Sequence, residues 1–288
     1  VPALSWPTTV WPLAQLGLKP VYVDINTLDL SVSLESCKKA LTPKTRAIFL
    51  IHVLGSPANM DELQKFCSEH RLSLLEDCCE SLGASWAGKH VGNFGDFGTF
   101  SLYYSHHMST IEGGMIVTNN DHLADTLLSL RAHGWTRDRS DRNEWSQKYS
   151  KLDDRFLFVL PGFNVRPMEL QAAIGLEQIK KLPKFLEGRR QNAQTVAQAV
   201  KESGAACRLV SSTDSKGHHS WMALPFLVDD GVDRKEFCRI LDANGVETRP
   251  IIAGNLALHT ASDFVSCGRA ESLSYSDKLW SQGFMIGC

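Results

Sequence analysis

The chain has 288 residues, of which 43% are hydrophobic and 22% are charged, and its formal net charge is -2. This composition is typical of a soluble globular protein with one large domain or two packed domains, and it excludes proteins that bind nucleic acid or anionic membranes through a large net charge. Neither a membrane-spanning apolar run nor a signal-peptide pattern is present, and the eight cysteines include no CxxC pair, so we expect a reducing, cytoplasmic compartment.

Strand and helix patterns alternate in the first half of the chain. The predicted elements are, in chain order, strands at 20–24 and 46–53, a helix at 60–70, and a strand at 72–75 that runs into Glu76 and Asp77. The helix has an apolar face, and Asn59 or Asp61 is its candidate N-cap. Such alternation favours a mostly parallel sheet, in which ligands bind outside the carboxyl ends of the strands, where Asp77 is placed.

The second half of the chain begins with two more predicted strands, at 97–104 and 114–118, which bracket the polar loop SHHMSTIEGG. The later predictions are helices at 123–133 and 167–182, an irregular surface loop at 141–154, a helical pattern after Pro183 to Val200, strands at 221–227 and 246–249, and a helix at 234–244. We predict that residues 1–183 form a large domain and residues 184–288 a smaller C-terminal domain. The pairs 189–190 and 218–219 are interpreted as a solvated helix face and a solvated turn.

Asp77 in LLEDCCESLGA is a candidate cofactor ligand because it follows a buried strand. A carboxylate in this place can hold the protonated ring nitrogen of pyridoxal phosphate, and that protonation makes the ring an electron sink. The alternative is a structural aspartate that caps the next turn, which the position of Asp77 by itself favours.

The stretch EDCCESLGASWAGKHVGNFGDFGTFSLYYSHHMSTIEGGMIVT resembles the core signature of the DegT/DnrJ/StrS sugar aminotransferase family. VPALSWPTTVWPLAQLGLKPVYVDI, PGFNVRPMELQAAIGLEQIKKL, GVETRPIIAGN and GFMIGC extend this resemblance over nearly the whole chain. It implies an α/β protein with the aspartate-aminotransferase (type I pyridoxal phosphate) fold, in which a mostly parallel sheet forms the large domain beside a small α/β C-terminal domain. It also implies a phosphate-binding loop upstream of Pro2, so we expect the chain to lack native residues at one or both ends.

The informative departure from the family lies in the loop before Glu112. Aminotransferases of the family have lysine, five residues and then Glu-Gly-Gly, whereas this sequence has His106 at the lysine position. Because an imidazole cannot form a Schiff base with an aldehyde, the resemblance implies a cofactor held without a covalent bond. Histidine still transfers protons near neutral pH. The doublet His106-His107 resembles the 3-dehydratase branch, which removes the C3 hydroxyl of nucleotide-linked 4-keto-6-deoxyhexoses.

The 3-dehydratase branch contains enzymes with and without an iron–sulfur cluster. Cys79 has the position of the first cluster ligand, but the other ligand positions fall near Arg137, Arg139 and Gln147. Since such clusters need thiolates, we predict no iron–sulfur cluster and interpret Cys79 as a small buried apolar residue. The cofactor is then pyridoxal 5'-phosphate or pyridoxamine 5'-phosphate, and the amine form is regenerated from glutamate.

The resemblance also assigns cofactor contacts to residues of this sequence. Trp6 has the position of the aromatic residue that stacks on the pyridine ring, although a core tryptophan is an equal alternative. Ser101, five residues before the catalytic position, matches a serine that contacts the phosphate. Asn164 matches an asparagine that reaches the cofactor phosphate of the partner subunit, which implies a homodimer with shared active sites. Glu80 lies where the family commonly has Gln or His beside the ring hydroxyl, and this departure has no explanation in the sequence.

Candidate substrate contacts lie in three later segments. His133 in LRAHGW and the pair Glu247 and Arg249 in GVETRP align with substrate- or glutamate-contacting positions of the dehydratase branch. A carboxylate clamp for the amino donor is the role implied for Arg249, and an interdomain ion pair is the alternative. Arg166 is a candidate ligand for a diphosphate or carboxylate, and Arg137 is a further candidate.

The sequence therefore predicts a cluster-free 3-dehydratase with His106 as the catalytic acid and base, acting in deoxysugar biosynthesis. Its predicted partners are a GDP- or CDP-linked 4-keto-6-deoxyhexose, glutamate and a second copy of the chain, with no nucleic acid and no membrane. Two alternatives stay open: an aminotransferase that tolerates the loss of the lysine, and a non-catalytic protein or fragment that retains the fold.

Overall fold

The computed structural model describes residues 1–212 and 214–288. The helices are α1 (Pro7–Gln15), α2 (Leu34–Ala40), α3 (Met60–His70), α4 (Asp121–Arg131), α5 (Arg142–Lys148), α6 (Glu169–Gln178), α7 (Leu182–Ser203), α8 (Arg234–Ala243), α9 (Ala261–Phe264) and α10 (Ser274–Gln282). The strands are β1 (Val21–Tyr22), β2 (Ala47–Ile51), β3 (Ser73–Asp77), β4 (Ser85–Trp86), β5 (Lys89–His90), β6 (Phe97–Ser101), β7 (Gly114–Val117), β8 (Cys207–Leu209), β9 (Gly217–His218), β10 (Ala223–Val228), β11 (Thr248–Arg249), β12 (Gly268–Arg269) and β13 (Gly283–Gly287).

The strands in the first half of the chain include a four-stranded sheet in the order β2-β3-β6-β7. β2, β3 and β6 are parallel, so that their carboxyl ends meet at one edge. β7 runs antiparallel to β6 and pairs Gly114 with Ser101. The loop between these two strands therefore starts at the edge where Asp77 ends β3, which is the place for a ligand in a parallel sheet.

Helix α3 packs on this sheet, and its sequence contains both the apolar face and the N-cap that such a helix needs. Its apolar residues Leu63, Phe66 and Cys67 are buried, as a 3.6-residue period requires. The side chain of Asn59 accepts a hydrogen bond from the backbone N–H of Glu62 and so caps the first turn. The predicted helix at 60–70 is confirmed, and Asn59 is its N-cap.

A second four-stranded sheet, in the order β11-β13-β10-β8, is antiparallel throughout. All six residues of its strand β10 are buried. Helices α7 and α8 pack on it through a cluster that includes Ala193, Phe226 and Phe284. These elements agree with the predicted strands near 221–227 and 246–249 and with the predicted helix at 234–244.

The two halves of the chain share strands and apolar core. β1 pairs with β12 and β4 pairs with β9, although each pair joins elements far apart in the sequence. One buried cluster combines residues from before and after position 183, namely Leu4, Ile25, Leu30, Ile51, Val53, Leu54, Val210, Ala223, Leu227, Ile251 and Leu279. The domain boundary at residue 183 stays a prediction, because the core is continuous across it.

The predicted irregular loop at 141–154 is wrong for residues 142–148, which form α5. This helix has no buried residue and thus no apolar period. Local pairs stabilise it instead: Trp145 stacks on Tyr149 one turn later, with ring centroids 6.1 Å apart. The indole N–H of Trp145 also donates to the carboxylate of Asp141. Such i,i+4 pairs support a short polar helix without the pattern on which the sequence prediction relied.

Candidate active site

Asp77 is a buried carboxylate at the carboxyl end of β3, with a side chain that is 8% exposed. The hydroxyl of Thr9 donates to Oδ2 over 2.7 Å, and the backbone N–H of Cys79 donates to Oδ1 over 3.0 Å. Thr9 belongs to α1, so this helix is fixed at the sheet edge by the same carboxylate. Among the residues that the structure describes, no cation pairs with Asp77. A buried carboxylate is costly without such a partner, so a bound cation would stabilise it.

Glu80 lies three residues after Asp77 and is half-buried. Its Oε2 accepts a hydrogen bond of 2.9 Å from the backbone N–H of Leu54. Burial raises the pKa of Glu80 to about 7, the Leu54 N–H opposes the rise, and the negative charge of Asp77 adds to it. Glu80 is therefore a neutral acid over much of the range below neutral pH, and a neutral group is also what Gln or His provides at this position.

His106 is half-buried in the loop between β6 and β7. Its Nδ1 lies 3.3 Å from the hydroxyl of Ser101, the last residue of β6. Its Nε2 has no hydrogen-bond partner within 1–212 and 214–288, so this is the nitrogen that is free to exchange a proton. Ser101, which the sequence predicts as a contact of the cofactor phosphate, thus lies in direct contact with His106, and its phosphate contact stays a prediction.

Three effects act on the pKa of His106. Partial burial lowers this pKa below that of a free imidazole, while the negative charge of Asp77 and a hydrogen bond with Tyr103 act in the opposite direction. Since burial dominates, His106 is a neutral imidazole at neutral pH and can accept a proton. Asp77 is close enough for its charge to stabilise the imidazolium that forms.

His133, Asn164 and Arg166 form a second group, brought together by backbone pairing. The N–H of His133 donates to the carbonyl of Phe163 over 2.7 Å, and residues 132 and 164 form a β-bridge. The guanidinium of Arg166 donates to the side-chain oxygen of Asn164 over 3.2 Å. Gly134, the residue after His133, has φ +85, and an added Cβ there would overlap the carbonyl oxygen of Leu160. All three polar side chains are exposed.

The remaining predicted substrate residues lie apart from His106. Arg137 is positioned over the ring of Trp135, 4.2 Å from its centroid, and forms an ion pair with Asp138. Glu247 precedes β11 and Arg249 ends it, and both side chains are exposed. In the described part of the chain, neither the group around His133 nor the pair Glu247 and Arg249 contacts Asp77 or His106 directly. The predicted site is therefore only partly assembled within a single chain.

Trp6 is the N-cap residue of α1 and is 53% exposed. The alternative that Trp6 is a core tryptophan is wrong, because half of its surface is free. Its helix is the one that Thr9 attaches to Asp77. An exposed indole at this point has a face available for stacking on an aromatic ring.

The residues at the sheet edge fit a pyridoxal phosphate cofactor without a covalent bond. The buried Asp77 carboxylate lacks a cation among the described residues, and a protonated pyridine nitrogen is a cation of suitable shape for this place. The hydroxyl of Ser101 and the neutral acid of Glu80 flank the same edge. The sequence has no lysine between Lys89 and Lys148, which includes the entire loop where a covalent attachment would form.

A cluster of His52, Glu76 and Cys78 under the site has the composition of a metal site. However, Nδ1 of His52 accepts from the N–H of Ala58 and Nε2 lies 3.1 Å from Glu76, so both ring nitrogens are used. Glu76 also accepts three backbone N–H groups, of residues 92, 94 and 95, each over 2.7 Å. The cluster is a satisfied network that fixes the loop beside β3, and we assign no metal to it.

The whole chain, residues 1–288, matches the sequence profile of the DegT/DnrJ/EryC1/StrS aminotransferase family. The chain belongs to this family. The resemblance that the sequence motifs indicated is thereby confirmed, and the histidine at position 106 is a departure within a family named for its aminotransferases.

Three family relatives are informative. GDP-4-keto-6-deoxy-D-mannose 3-dehydratase of Escherichia coli O55:H7 is 41% identical over 295 aligned residues, which cover 100% of this chain and 74% of the relative. The E. coli GDP-4-keto-6-deoxy-D-mannose 3-dehydratase with bound hydrated PLP has a TM-score of 0.91 at 40% identity, covering 100% of this chain and 74% of that one. A GDP-4-keto-6-deoxymannose 3-dehydratase with a trapped PLP-glutamate geminal diamine has a TM-score of 0.86 at 38% identity, covering 99% and 74%. The predicted aspartate-aminotransferase fold is confirmed by these structures.

Several residues of the site region had no clear signal in the sequence. Thr9 contacts Asp77 across 68 positions of the chain, and His107 is buried against Ser220 across 113 positions. The sequence predicts Arg189 and Arg190 on a solvated helix face, and this prediction is wrong. Their guanidinium groups donate to the backbone carbonyls of residues 219, 221 and 222. The solvated-turn interpretation is also wrong for residue 219, whose half-buried ring stacks on a tryptophan.

Among the described helices, none combines the length and the hydropathy that crossing a lipid bilayer requires.

Proposed function

We propose that this chain is a 3-dehydratase that removes the C3 hydroxyl of a nucleotide-linked 4-keto-6-deoxyhexose with pyridoxamine phosphate as cofactor. The observation that carries this proposal is an imidazole, that of His106, at the lysine position of the family, beside Asp77 and Ser101. The relatives that are 3-dehydratases support the same activity. The reaction belongs to deoxysugar biosynthesis.

The proposed substrate is a GDP-linked 4-keto-6-deoxyhexose, as it is for the relatives named above. The exposed guanidinium groups of Arg137 and Arg166 are suited to a diphosphate, since Arg binds such groups in a bidentate manner. The backbone of His133 pairs with Phe163, the residue before Asn164, and His133 is proposed to contact the sugar. These assignments are proposals for residues of this chain.

Five residues are proposed to hold the cofactor. Asp77 pairs with the ring nitrogen, Trp6 stacks on the ring, Glu80 donates to the ring hydroxyl, and Ser101 binds the phosphate together with Asn164 of the partner subunit. When bound, the cofactor supplies an amine for the keto group and a ring that withdraws electrons from the neighbouring carbon atoms. Its protonated nitrogen also provides the cation that Asp77 lacks within the described chain.

The protein side of the chemistry is proton transfer by His106. Nε2 of His106 accepts a proton from a carbon atom and donates a proton to the oxygen on C3 of the sugar. As the C3–O bond breaks, the hydroxyl leaves as water. Ser101 fixes the ring through Nδ1, and Asp77 stabilises the charged imidazolium. Because burial lowers its pKa, the imidazole starts neutral at neutral pH, which is the form required of a base.

Glutamate is the proposed amino donor that regenerates the amine form of the cofactor. One relative was trapped with a PLP-glutamate adduct, which supports this donor. Arg249 is proposed to bind its carboxylate, with Glu247 contacting the substrate or the amino group. Both side chains are exposed on the edge of the antiparallel sheet, so the site must be completed by ligand binding or by a second subunit.

A homodimer with shared active sites is part of the proposal. Helix α6 buries none of its residues, and the segment that carries Asn164 and Arg166 exposes large apolar side chains, namely Phe163, Val165, Met168, Leu170, Leu176 and Ile179. So many exposed large apolar side chains in one segment are typical of an interface. The same segment would then present Asn164 to the partner subunit. We also propose a cytoplasmic location, where eight free thiols such as those of this chain persist.

The deciding experiment compares wild-type protein with His106→Asn in product analysis. With GDP-4-keto-6-deoxymannose, cofactor and glutamate, we expect wild type to form a 3-deoxy sugar with ammonia release, and the variant to lose this activity by a factor of at least about 100, because proton transfer is removed. His122→Asn, at an exposed position of α4, is the matched control and keeps full activity.

The aminotransferase alternative predicts a different product from the same assay. An amino sugar formed by wild type, without ammonia release, would establish that alternative. Borohydride reduction gives a second criterion, since cofactor that becomes linked to a lysine of the wild-type chain would contradict the role of His106. If His106→Asn retains full activity, His106 is not the acid–base group.

A further inference from the structure

His107, the residue after His106, connects the loop of His106 to a distant part of the chain by a hydrogen bond. Nε2 of His107 lies 3.1 Å from the carbonyl oxygen of Ser220, and both residues are buried, with exposures of 3% and 0%. Within the loop itself, the N–H of Leu102 donates to Gly113 and the N–H of Thr110 donates to Leu102. The contact with Ser220 therefore connects a closed loop to a distant segment.

This distant segment, residues 217–222, is called the strap here. Backbone hydrogen bonds join it to the short turn that follows β2, from the N–H of Ser220 to the carbonyl of Gly55 and from the N–H of Met222 to the carbonyl of Leu54. Helix α7 holds it from the other side, where Arg189 donates to the carbonyls of residues 221 and 222. Residues 217 and 218 also pair with β4, so the strap is held at both ends by contacts other than that of His107.

The imidazole of His107 is a neutral donor in this position. Burial lowers its pKa to about 4, and the positive charge of Arg189 acts in the same direction, as does His106, while the bond to Ser220 opposes them. A carbonyl oxygen only accepts, so Nε2 carries the proton and donates it. Nδ1 is then an acceptor, and it has no partner among the residues that the structure describes.

The unpaired Nδ1 argues against a purely structural role. A buried acceptor without a donor costs about 1–3 kcal/mol, so a histidine is not the most stabilising side chain for this space. An apolar side chain of similar size would remove that penalty, at the expense of the bond to Ser220. What a side chain with a donor at this point provides, and an apolar one does not, is a hydrogen bond that connects the strap to the loop of His106.

We propose that His107 is a positioning residue, whose hydrogen bond to the strap holds the loop so that His106 keeps its contact with Ser101 and its approach to Asp77. The proposal rests on the proposed function only in so far as His106 is the acid–base group. The contact itself is a property of the protein without substrate, and it can be measured without activity.

The test uses substitutions that retain or remove the donor. In His107→Gln the amide nitrogen takes the place of Nε2 and can still donate to Ser220. In His107→Asn the amide is too short to do so, and in His107→Leu no donor is present. The first readout is the NMR titration of the His106 ring in protein without cofactor, with the resonance assigned by comparison with H106N.

We expect the His106 pKa in H107N and H107L to rise toward that of a free imidazole, because the loosened loop exposes the ring. The kcat should fall by about 100-fold, the size of effect that a misplaced catalytic group produces, with little change in KM. H107Q should restore both the titration and the rate. Should H107L fail to fold, the His106 titration and the kcat of H107N are compared with those of H107Q, and this comparison tests whether His107 positions the loop.

Ser262→Ala is the control for loss of stability alone, since Ser262 is buried and donates to the carbonyl of Leu256 far from the loop. It should lower the Tm without moving the His106 titration. An unchanged His106 titration in both H107N and H107L would overturn the proposal. If wild type shows no dehydratase activity, the proposed function fails, while the titration still decides the role of His107.

Discussion

At the residue scale, two carboxyl groups three positions apart have different surroundings. Asp77 accepts hydrogen bonds from Thr9 and from a backbone N–H, whereas Glu80 has one donor, the N–H of Leu54. Burial and the charge of Asp77 together raise the pKa of Glu80. The site thus offers an anion at the end of β3 and a neutral acid beside it. The proposed function gives them different roles, with the anion pairing with the ring nitrogen and the acid donating to the ring hydroxyl.

Glu80 should make stability depend on pH in a defined window. Its folded pKa, about 7, lies above the ordinary pKa of a glutamate, 4.5, so between these values the folded protein binds more protons than the unfolded chain. The free energy of unfolding should therefore fall as pH rises through this window. In Glu80→Gln this contribution disappears. Urea unfolding of cofactor-free protein at about pH 5 and about pH 8 measures the difference.

The expected result is a smaller loss of stability in E80Q than in wild type between the two pH values. Glu69→Gln, at an exposed position of α3, serves as control and should follow wild type. Equal pH dependence of E80Q and wild type would mean that Glu80 is ionised normally in the folded protein.

Asp77 should determine cofactor affinity. In Asp77→Asn the charge is lost, and with it a charge-assisted hydrogen bond worth about 1.5–3 kcal/mol, so pyridoxal phosphate should bind roughly 10- to 100-fold more weakly. Absorbance titration measures this directly. Asp96→Asn is the matched control, because Asp96 accepts from the N–H of Leu74 at the other end of β3 and an amide oxygen can do the same.

The sequence predicted the residues of the site that lie close together along the chain. Asp77 follows a recognisable strand, and Ser101 and His106 are linked by the spacing to Glu112. Thr9 could not be predicted, because its contact with Asp77 depends on how α1 crosses the sheet edge. The connection of His107 with the strap has the same origin in tertiary packing.

At the element scale, predictions succeeded where an element carries its own signals. α3 has a cap, an apolar face and a residue in the left-handed conformation, Arg71, after its last turn. α5 was missed because its stability comes from pairs between polar and aromatic side chains rather than from burial. Strand β1 is only two residues long, since the segment around it pairs with β12 instead of entering the parallel sheet.

The cap of α3 can be tested by itself. Asn59→Ala removes the acceptor for the N–H of Glu62 and should lower the free energy of unfolding by about 1 kcal/mol. Asn59→Ser keeps a side-chain oxygen in the capping position and should retain most of the stability. Chemical denaturation measures both variants. If alanine and serine are equally stable, the hydrogen bond at the helix start contributes nothing.

At the scale of the whole molecule, the surface around α6 exposes large apolar side chains in the single chain, and the proposed homodimer would cover them. A helix with no fully buried residue gains little hydrophobic stabilisation within one chain. The adjacent group of His133, Asn164 and Arg166 is exposed, although it contains three of the predicted ligand contacts. Both features are explained if a second copy covers α6 and receives these side chains in its own site.

Mixing two inactive variants tests whether the sites are shared. His106→Asn damages the site of its own chain, whereas Asn164→Ala damages the site of the partner subunit. One of the two sites of a mixed dimer is then intact, and co-refolding in equal amounts should restore about a quarter of the wild-type activity, since half of the dimers are mixed. Sedimentation should show dimers throughout. Mixtures that stay inactive would place Asn164 in the same site as the His106 of its own chain.

The pairing of β1 with β12 and of β4 with β9 has a consequence for how the chain acquires its structure. Residues 21–22 and 85–86 leave the ribosome early but find their partners only once residues 268–269 and 217–218 have been synthesised. Non-local pairing of this kind delays folding and leaves apolar segments open in the meantime. A nascent chain that stops near residue 183 contains the whole parallel sheet but lacks the partners of β1 and β4, so we expect it not to fold independently.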